Sequence, residues 1–449
     1  MALTTTAQVL DARLVGQDAM FNGVSINSRS LQQDNLFVAL HGPNFDGHDY
    51  IAAAQHEGAV AAVVQREVAT DLPLLKVVDT QLALTQLAKH WRREFSIPVI
   101  AVTGSNGKTT VKEMIAAILA QQGPVLATQG NLNNEIGVPL TLLRLATEHR
   151  AAVVEMGANH AGEIAALTKV AEPTIALINN VAAAHLEGFG SLDGVALAKG
   201  EIFSGLSEQG IAVINADDVY AQQWRDLATD YQQIDFALDR DADVSAQWTS
   251  SGNGCVLNLQ TPLGCTEIVL SLSGKHNVMN ALAATAVSIA AGVSLENVRQ
   301  GLQGFAGVPH RQELKVRDDG LIVIDDTYNA NPASLQAGLD VLAQRPGQHY
   351  LILGDMGELG KNTAELHRLA GVQARSMGVD YLYALGEMAQ YAAAGFGDGG
   401  RGFDSQDTLL DALQVLDAAN TTVLVKGSRC MNMERIVDGL MQSQGGVAC

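Results

Sequence analysis

The order of hydrophobic and polar residues changes twice along the chain, which indicates three sections. The first section mixes short extended runs with helical patterns, and the longer of these patterns covers 80–94 with apolar residues at near-helical spacing. This mixture predicts a mixed α/β domain at residues 1–82. The extended runs lie at 35–40, 59–64 and 74–78, and a shorter helix is expected at 50–57.

From Val99 onward, short apolar runs recur, and each stops at polar residues or glycine. Strands buried on both faces have this pattern, and the helical stretches between them indicate a parallel sheet. The β-rich stretch 246–272 contains turn residues and predicts a hairpin insertion, and a helix-rich block follows at 276–303. We place this second domain at residues 83–311. Its strands are VIAVTG, AAVVEMG, TIALINN and GIAVINADD.

A second alternating series begins near Arg311, after the short polar junction GVPHRQE. It predicts a third domain at residues 312–449, with strands LIVIDD, HYLILGD, YLYALG and TTVLVKG. The expected fold class is therefore α/β with three domains. Because open parallel sheets bind ligands beyond the carboxyl ends of their strands, the residues that follow each run are where chemistry is expected.

The composition narrows the class of protein. A formal net charge of −20 without any lysine- or arginine-rich run argues against a nucleic-acid partner. The N-terminus lacks a basic segment followed by an apolar core, so we expect no secretion signal. The most apolar helical stretch, 278–293, is too short to span a bilayer, so we expect no membrane insertion. Four cysteines without CxxC spacing are typical of reduced thiols, which predicts a cytoplasmic protein.

The strongest motif is the run TGSNGKTT at 103–110, between a predicted strand and a predicted helix. A glycine-rich turn there points backbone N–H groups at a polyphosphate, and the helix N-terminus adds positive potential. Lys108 can then reach the β- and γ-phosphates, and the Thr109 hydroxyl can hold Mg²⁺. The full P-loop pattern needs glycine where this chain has Val102, so a chance turn is the alternative.

Three polar residues of the middle section are candidates for a metal site. Glu155 and His185 follow two of the predicted strands and are expected at the same sheet edge, although each alone can be structural. Lys199 falls on the apolar face of a predicted helix, where burial favours the neutral amine. A neutral amine can react with CO₂ to give a carbamate, which is an anionic metal ligand. The alternative for Lys199 is an ammonium group that reaches solvent at the edge of the face.

Further candidates lie in the last third of the chain. Asn277 and Asn280 begin the helix-rich block and can contact an adenine or a ribose, or simply cap the helix. Arg311 lies at the domain junction, from which it can reach a γ-phosphate when the domains close. The runs at 325–332 and 426–429 end two strands of the third domain, and a simple turn is the alternative for each.

Taken together, these motifs resemble the Mur ligase family over nearly the whole chain. TGSNGKTT resembles the nucleotide loop of that family, FAGVPHRQE its domain junction, and GKHNVMNALAA its helix beside the adenine. Finer stretches resemble the member that adds a D-Ala-D-Ala dipeptide to a UDP-linked muramoyl tripeptide. These stretches are NLNNEIGVPLTLL, EMGANHAGEI, DDTYNANPAS, LGDMGELG and VKGSRCMNME.

The resemblance implies a first domain that binds the UDP part of the acceptor, a central P-loop domain that binds ATP, and a Rossmann-like third domain. It implies uridine diphosphate contacts at Ser28 and Arg29, and a carbamylated lysine at Lys199. The residues expected around ATP are Gly104, Ser105, Asn106, Gly107, Lys108, Thr109, Thr110, Asn277, Asn280, Arg311, Asp326 and Tyr328. Further substrate contacts are expected from Asn131, Asn133, Asn134 and Asn329. The expected metal ligands are Thr109, Glu155, His185 and the carbamate of Lys199.

The implied reaction has two steps and forms an amide bond in peptidoglycan precursor synthesis. The carboxylate of the UDP-N-acetylmuramoyl tripeptide attacks the γ-phosphate of ATP, and the amine of D-Ala-D-Ala then displaces phosphate. Two Mg²⁺ ions are expected to neutralise the charge. We expect a monomer. The residues expected to act in catalysis are Lys108, Lys199, Glu155, His185, Arg311 and Asp326.

Two other functions remain open at this point. A ligase of the same family can add another amino acid, or glutamate to folate. A nucleotide switch without ligase chemistry would need the glycine-rich turn but not a metal site built from Glu155, His185 and Lys199. The spatial arrangement of these residues distinguishes the switch from the ligases.

Overall fold

The computed structural model describes residues 1–182 and 186–442, and within them it confirms the expected α/β class. Each of the three sections has its own sheet, with helices packed on it. Within the described residues, no helix has the length and apolar character needed to cross a membrane.

The N-terminal section has a five-stranded sheet. Its strands are β1 (Arg13–Val15), β2 (Gly23–Ser25), β3 (Asn35–Val38), β6 (Ala61–Val64) and β7 (Leu74–Lys76), and a separate ribbon contains β4 (His41–Gly42) and β5 (Phe45–Asp46). Its helices are α1 (Leu3–Leu10), α2 (Ile51–His56) and α3 (Thr80–Arg93). The strand order is β1-β7-β6-β3-β2, and only β1 runs antiparallel to its neighbour. The three predicted extended runs are confirmed as β3, β6 and β7.

The middle section has a nine-stranded sheet in the order β16-β15-β14-β13-β12-β11-β8-β10-β9. The strands are β8 (Val99–Thr103), β9 (Val125–Ala127), β10 (Ala151–Glu155), β11 (Ile175–Ile178), β12 (Ile211–Asn215), β13 (Gln232–Ala237), β14 (Val244–Ser251), β15 (Gly254–Thr261) and β16 (Gly264–Leu270). The helices are α4 (Lys108–Leu119), α5 (Gly137–Leu142), α6 (Glu163–Ala171), α7 (Leu186–Phe189), α8 (Leu192–Gly200), α9 (Ala221–Leu227), α10 (Lys275–Ala290) and α11 (Leu295–Gln303).

The apolar runs of the middle section are strands covered on both faces. In β8, Ile100 and Val102 pack with residues of α4 and α10, whereas Val99 and Ala101 pack in a second cluster on the opposite face. Because neither face is exposed to water, successive residues are all apolar, as the sequence predicts. The polar residues begin only where the strand ends, at the carboxyl edge of the sheet.

The stretch 246–272 was predicted to be a hairpin insertion, and this prediction was wrong in its extent. The segment forms three antiparallel strands, and β14 pairs in parallel with β13, so that β14–β16 extend the main sheet. In β15, Leu257 and Leu259 are buried whereas Asn258 and Gln260 are exposed. One face is therefore open to solvent, which explains why this part reads as alternating rather than uniformly apolar.

The C-terminal section has a six-stranded sheet in the order β17-β18-β22-β19-β20-β21, parallel except for β17. The strands are β17 (Glu313–Val316), β18 (Ile322–Asp326), β19 (Gln348–Gly354), β20 (Tyr381–Leu385), β21 (Gly400–Phe403) and β22 (Thr421–Lys426). The helices are α12 (Pro332–Leu342), α13 (Thr363–Ser376), α14 (Ala389–Phe396), α15 (Gln406–Leu413) and α16 (Glu434–Met441). All four strands predicted here are confirmed as β18, β19, β20 and β22.

Candidate active site

The glycine-rich turn lies between β8 and α4, at the carboxyl edge of the middle sheet. The backbone at Gly107 has φ +76°, which glycine adopts without strain, and Gly107 is the N-cap of α4. A Cβ atom at this position would lie 2.6 Å from Asn280 Oδ1 and 2.8 Å from Asn179 Nδ2. Glycine is therefore required here for both its conformation and its small size.

Asparagine side chains from neighbouring segments fix the shape of this turn. The backbone N–H of Asn106 donates to Asn180 Oδ1 at 2.9 Å, and the carbonyl of Asn106 accepts from Asn179 Nδ2 at 3.0 Å. Asn179 Nδ2 also donates to Asn280 Oδ1 at 3.1 Å, which connects the turn to α10. Asn215 supports the network from β12 by donating to the carbonyl of Asn179 at 2.9 Å.

Lys108 is the first residue of α4, and its ammonium group lies against the turn that precedes it. Its Nζ donates to the carbonyl of Gly104 at 2.7 Å. Burial lowers the pKa of Lys108, Glu155 opposes this shift, and Arg311 reinforces it. A phosphate group placed on the turn would supply the negative charge that this amine lacks, and would favour its protonated form.

A chain of hydrogen bonds connects Glu155, at the end of β10, to the domain junction. Thr109 Oγ1 donates to Glu155 Oε2 at 2.9 Å, and Asn133 Nδ2 donates to Glu155 Oε1 at 2.8 Å. Arg311 donates to Thr109 Oγ1 at 3.0 Å, and its guanidinium carbon lies 4.1 Å from the centroid of the Tyr328 ring. The predicted site residues Thr109, Glu155 and Arg311 therefore lie in direct contact.

The backbone on either side of Arg311 is strained. His310 has φ +62° and Gln312 has φ +54°, in the left-handed region that is unfavourable for residues other than glycine. Strain of this kind persists where surrounding structure enforces it, and it is concentrated at functional sites. Between these two residues, the Arg311 side chain reaches Thr109, which follows the glycine-rich turn.

Lys199 lies on α8 with only 4% of its surface exposed. Val195, Ala198 and Ile202 are also buried, which confirms the apolar face that the spacing predicts. Burial, and to a lesser extent the positive charge of Lys108, lower the pKa of Lys199 well below its ordinary value. The neutral amine that this environment favours is the form that reacts with CO₂.

The C-terminal domain contributes a second set of polar groups. Asp326 Oδ2 lies 2.5 Å from the buried Nζ of Lys426, which also donates to the carbonyl of Asn329 at 3.0 Å. Asn331 caps α12 and donates from Nδ2 to Asn106 Oδ1 at 2.8 Å. The last of these contacts joins the third domain directly to the glycine-rich turn.

These residues line one cavity of about 730 Å³ between the middle and C-terminal domains. Most of the predicted site residues lie around it. They are Ser105, Asn106, Gly107, Lys108, Thr109, Thr110, Asn131, Asn133, Asn134, Glu155, Lys199, Asn277, Asn280, Arg311, Asp326, Tyr328 and Asn329.

Three predicted residues lie outside the set that lines the cavity, and a fourth is not described. Gly104 is buried beneath the turn, where its carbonyl accepts from Lys108. Ser28 and Arg29 lie in a turn after β2 of the N-terminal domain, outside the set of residues that lines the cavity. His185 falls outside the described residues, so its predicted role as a metal ligand stays a prediction.

Several residues that line the cavity escaped the sequence analysis. Asn179, Asn180 and Asn215 lie at the polar ends of the predicted runs TIALINN and GIAVINADD, and that position is the signal that could have identified them. His276 precedes Asn277 at the start of α10, and burial lowers the pKa of its imidazole. Lys426 belongs to the run 426–429 that the sequence analysis did name, and its contact with Asp326 is what the structure adds.

Three family models match this chain and together cover most of its length. The description "Mur ligase family, catalytic domain" matches residues 20–92, "Mur ligase middle domain" matches 102–288, and "Mur ligase, glutamate ligase domain" matches 310–429.

Curated relatives match over nearly the whole chain. The chain is 42% identical over 447 residues to UDP-N-acetylmuramoyl-tripeptide–D-alanyl-D-alanine ligase of Escherichia coli (strain K12), covering 99% of both. It is 34% identical over 446 residues to the Bacillus subtilis (strain 168) protein of the same name, covering 95% of this chain and 94% of that one.

Solved structures agree with these relatives. A crystal structure of MurF from Acinetobacter baumannii superposes with a TM-score of 0.91 at 36% identity, covering 98% of both chains. MurF ligase from Thermotoga maritima in complex with ADP superposes with a TM-score of 0.81 at 27% identity, covering 94% of this chain and 97% of that one. By its motifs, its fold and these matches, the chain belongs to the Mur ligase family.

Proposed function

We propose that this chain is an ATP-dependent ligase that joins D-Ala-D-Ala to UDP-N-acetylmuramoyl tripeptide in peptidoglycan precursor synthesis. The observation that carries the proposal is the single cavity that holds the glycine-rich turn, Glu155, Lys199 and Arg311 together. A nucleotide switch would need only the turn. The proposal is also supported by the printed activity of the Escherichia coli relative, which is 42% identical over its full length.

In this proposal ATP lies with its triphosphate on the glycine-rich turn. The backbone N–H groups of the turn and the N-terminus of α4 face the phosphates, and Lys108 moves from the Gly104 carbonyl to the β- and γ-phosphates. Asn277, Asn280, Asp326 and Tyr328 also line the cavity and are proposed to contact the nucleotide. The ADP in the related Thermotoga maritima structure is consistent with a nucleotide site in this fold.

The donor set of the cavity fits Mg²⁺. A carboxylate and a hydroxyl, those of Glu155 and Thr109, lie 2.9 Å apart, and hard oxygen ligands of this kind are the ones that Mg²⁺ prefers. We propose that they hold two Mg²⁺ ions together with His185 and a carbamate on Lys199. Bound Mg²⁺ would neutralise phosphate charge during phosphoryl transfer.

The cavity suits the two-step reaction. The tripeptide carboxylate attacks the γ-phosphorus, the bond to the β-phosphate oxygen breaks, and ADP leaves behind an acyl phosphate. The dipeptide amine then attacks the acyl carbon, loses a proton and expels inorganic phosphate. Lys108 and Arg311 place positive charge where the transferred phosphoryl group develops negative charge. The enclosing C-terminal domain would keep water from the acyl phosphate.

The remaining predicted residues are proposed as substrate contacts. Ser28 and Arg29, in the N-terminal domain, are proposed to bind the uridine diphosphate. Asn131, Asn133, Asn134 and Asn329 line the cavity and are proposed to contact the peptide ends that react. We further propose that the protein acts as a monomer in the cytoplasm, where nucleotide-linked precursors and ATP are available.

The substrate assignment is tested by release of phosphate from ATP by the purified protein. With UDP-N-acetylmuramoyl tripeptide present, we expect release to depend on D-Ala-D-Ala and not on D-Glu, L-Lys or diaminopimelate. Lys108→Ala provides the background rate, because it removes the cation beside the phosphates. Turnover with one of the single amino acids in place of the dipeptide would assign the chain to another member of the family.

A further inference from the structure

Lys112 is a buried cation that the proposed reaction does not use. It lies one turn into α4 and is 1% exposed. Its Nζ donates to the carbonyl of Thr128 at 2.6 Å and lies 2.7 Å from Glu113 Oε1. Removing an ammonium group from water is unfavourable, and an apolar residue of similar volume often stabilises a protein more. The position of Lys112 therefore calls for an explanation beyond packing.

Thr128 connects Lys112 to the candidate metal site. It directly follows β9, and its Oγ1 accepts the backbone N–H of Glu155 at 2.9 Å. The Glu155 carboxylate in turn accepts from Thr109 Oγ1 at 2.9 Å. Because Thr109 and Lys112 lie three residues apart on α4, these bonds form a closed ring that begins and ends on that helix.

The segment after Thr128 completes the surroundings of Glu155. Asn133 donates from Nδ2 to Glu155 Oε1 at 2.8 Å, and its carbonyl accepts the N–H of Gly157 at 2.8 Å. Lys112 donates to the carbonyl of Thr128, the residue that directly precedes this segment. Its ammonium group therefore restrains both the Thr128 hydroxyl and the start of the segment that carries Asn133.

We propose that Lys112 is a positioning residue that, through Thr128, holds Glu155 in the geometry needed to bind Mg²⁺ with the nucleotide. This inference rests on the proposed function, because it assigns Glu155 to the metal site. Partners that orient a metal ligand without touching the metal typically change metal affinity when they are removed. Lys112 does not contact Glu155 itself. It acts through Thr128, whose carbonyl it binds and whose hydroxyl accepts the N–H of Glu155.

The experiment measures binding of a non-hydrolysable ATP analogue by calorimetry across a range of Mg²⁺ concentrations. In Lys112→Met we expect the Mg²⁺ concentration at half-maximal binding to rise roughly tenfold. Thr128→Val keeps the carbonyl but removes the hydroxyl, and should give a rise of similar size. If both residues act through one path, the double variant should shift the midpoint much less than the product of the two single effects.

Glu113→Gln is the matched control, since it changes the other partner of Lys112 and leaves the contact with Thr128 in place. It should keep the wild-type Mg²⁺ midpoint. A wild-type midpoint in Lys112→Met, with only a lower unfolding temperature, would overturn the inference. If that variant does not fold, an unchanged midpoint in Thr128→Val overturns it equally. If the wild-type chain showed no turnover that depends on D-Ala-D-Ala, the proposed function itself would be refuted instead.

Discussion

At the scale of single residues, Lys199 lies where an ammonium ion is unfavourable. It is almost completely buried, and the positive charge of Lys108 adds to the effect of burial in lowering its pKa. Conversion to a carbamate would replace an unfavourable cation with an anion in a cavity that also contains Lys108 and Arg311. The same environment thus disfavours the protonated amine and supports the proposed carbamate.

Lys199→Ala is expected to abolish nearly all ligase turnover and to recover part of it when short carboxylates are added. A small carboxylate can enter the space left by the side chain and supply the anionic oxygen that the proposed carbamate would otherwise give. Initial rates with and without added acetate or formate measure the effect. Lys169→Ala is the control, because Lys169 is exposed on α6 and should show neither loss nor rescue. If Lys199→Ala turned over normally without additives, Lys199 would have only a packing role.

The lowered pKa of Lys199 also predicts how stability depends on pH. In CO₂-free buffer, at pH values between the lowered pKa of folded Lys199 and its ordinary pKa of 10.5, the unfolded chain binds a proton that the folded chain has released. The unfolded state then binds more protons, so the free energy of unfolding rises with pH below that value. Lys199→Met lacks this group and should be more stable than wild type at neutral pH.

Denaturant unfolding of both proteins between pH 7 and about 10 measures this difference, which should shrink as the pH approaches the ordinary lysine pKa. Comparing the two proteins at each pH cancels the contributions of other titrating groups. A difference that stays constant with pH would show that Lys199 titrates normally in the folded protein.

Sequence reasoning predicted the burial of Lys199 correctly, because that burial follows from the spacing of residues close together in the chain. The spacing of Val195, Lys199 and Ile202 defines a single face, and that face is buried. Sequence reasoning missed Asn179 because the partners of its side chain, Asn106 and Asn280, come from segments far apart in the chain. Local spacing predicts burial on one element but not which distant polar groups a side chain will meet.

At the scale of elements, the glycine-rich turn depends on the close approach of α10. The side chain of Asn280 lies against Gly107, so that α10 and the carboxyl end of β11 together determine the width of the turn. This explains how the turn keeps its shape although Val102 replaces the glycine of the full P-loop pattern. Neighbouring elements supply the support that a glycine at position 102 would otherwise give.

Gly107→Ala is expected to lower nucleotide affinity by at least tenfold, because the added Cβ meets both Asn280 and Asn179 and the backbone there has φ +76°. Gly292→Ala is a matched control with φ +77°, where a Cβ would meet no other heavy atom of the described residues within 4 Å. Both variants carry the same conformational strain, but only Gly107→Ala crowds the turn. Calorimetric titration of both variants with an ATP analogue measures the difference. Equal affinities of the two variants would show that contact of the added Cβ with Asn280 and Asn179 does not matter.

The strands were predictable where both faces are covered, and the extension β14–β16 was not. Uniformly apolar runs identify buried strands such as β8 and β10 directly. The alternation of apolar and polar residues in β15 fits a separate hairpin and a sheet covered on one face equally well, because only packing distinguishes the two. The order of the nine strands was also beyond sequence reasoning, since it depends on crossovers between distant segments.

At the scale of the whole molecule, the C-terminal domain contacts the middle domain at several places, and two of them are joined by side-chain hydrogen bonds between described residues. One is the site itself, where Asn331 of the third domain donates to Asn106, beside the contact of the junction residue Arg311 with Thr109. The other is Arg345, just after α12, which donates to Asn253 Oδ1 at 2.5 Å. Asn253 lies in the turn between β14 and β15, so the extension of the middle sheet serves as an anchor for the third domain.

The Arg345 anchor should make nucleotide binding tighter by holding the domains together. The guanidinium group also donates to Ser273 Oγ at 3.0 Å, and hydrogen bonds from a charged group contribute about 1.5–3 kcal/mol each when they are well formed. Without the anchor, part of the binding energy of ATP must be used to bring the domains together. Chemistry in the saturated, closed state would be largely unaffected.

Arg345→Ala is therefore expected to raise the KM for ATP roughly tenfold with a much smaller change in kcat, and to increase the radius of gyration of the ligand-free protein in X-ray scattering. Arg368→Ala is the control, because Arg368 pairs with Glu365 on the same helix and contributes nothing between domains through that pair. A fall in kcat with an unchanged KM would place the effect in the chemical step. An unchanged KM together with an unchanged radius would show that the contacts at the site alone hold the third domain.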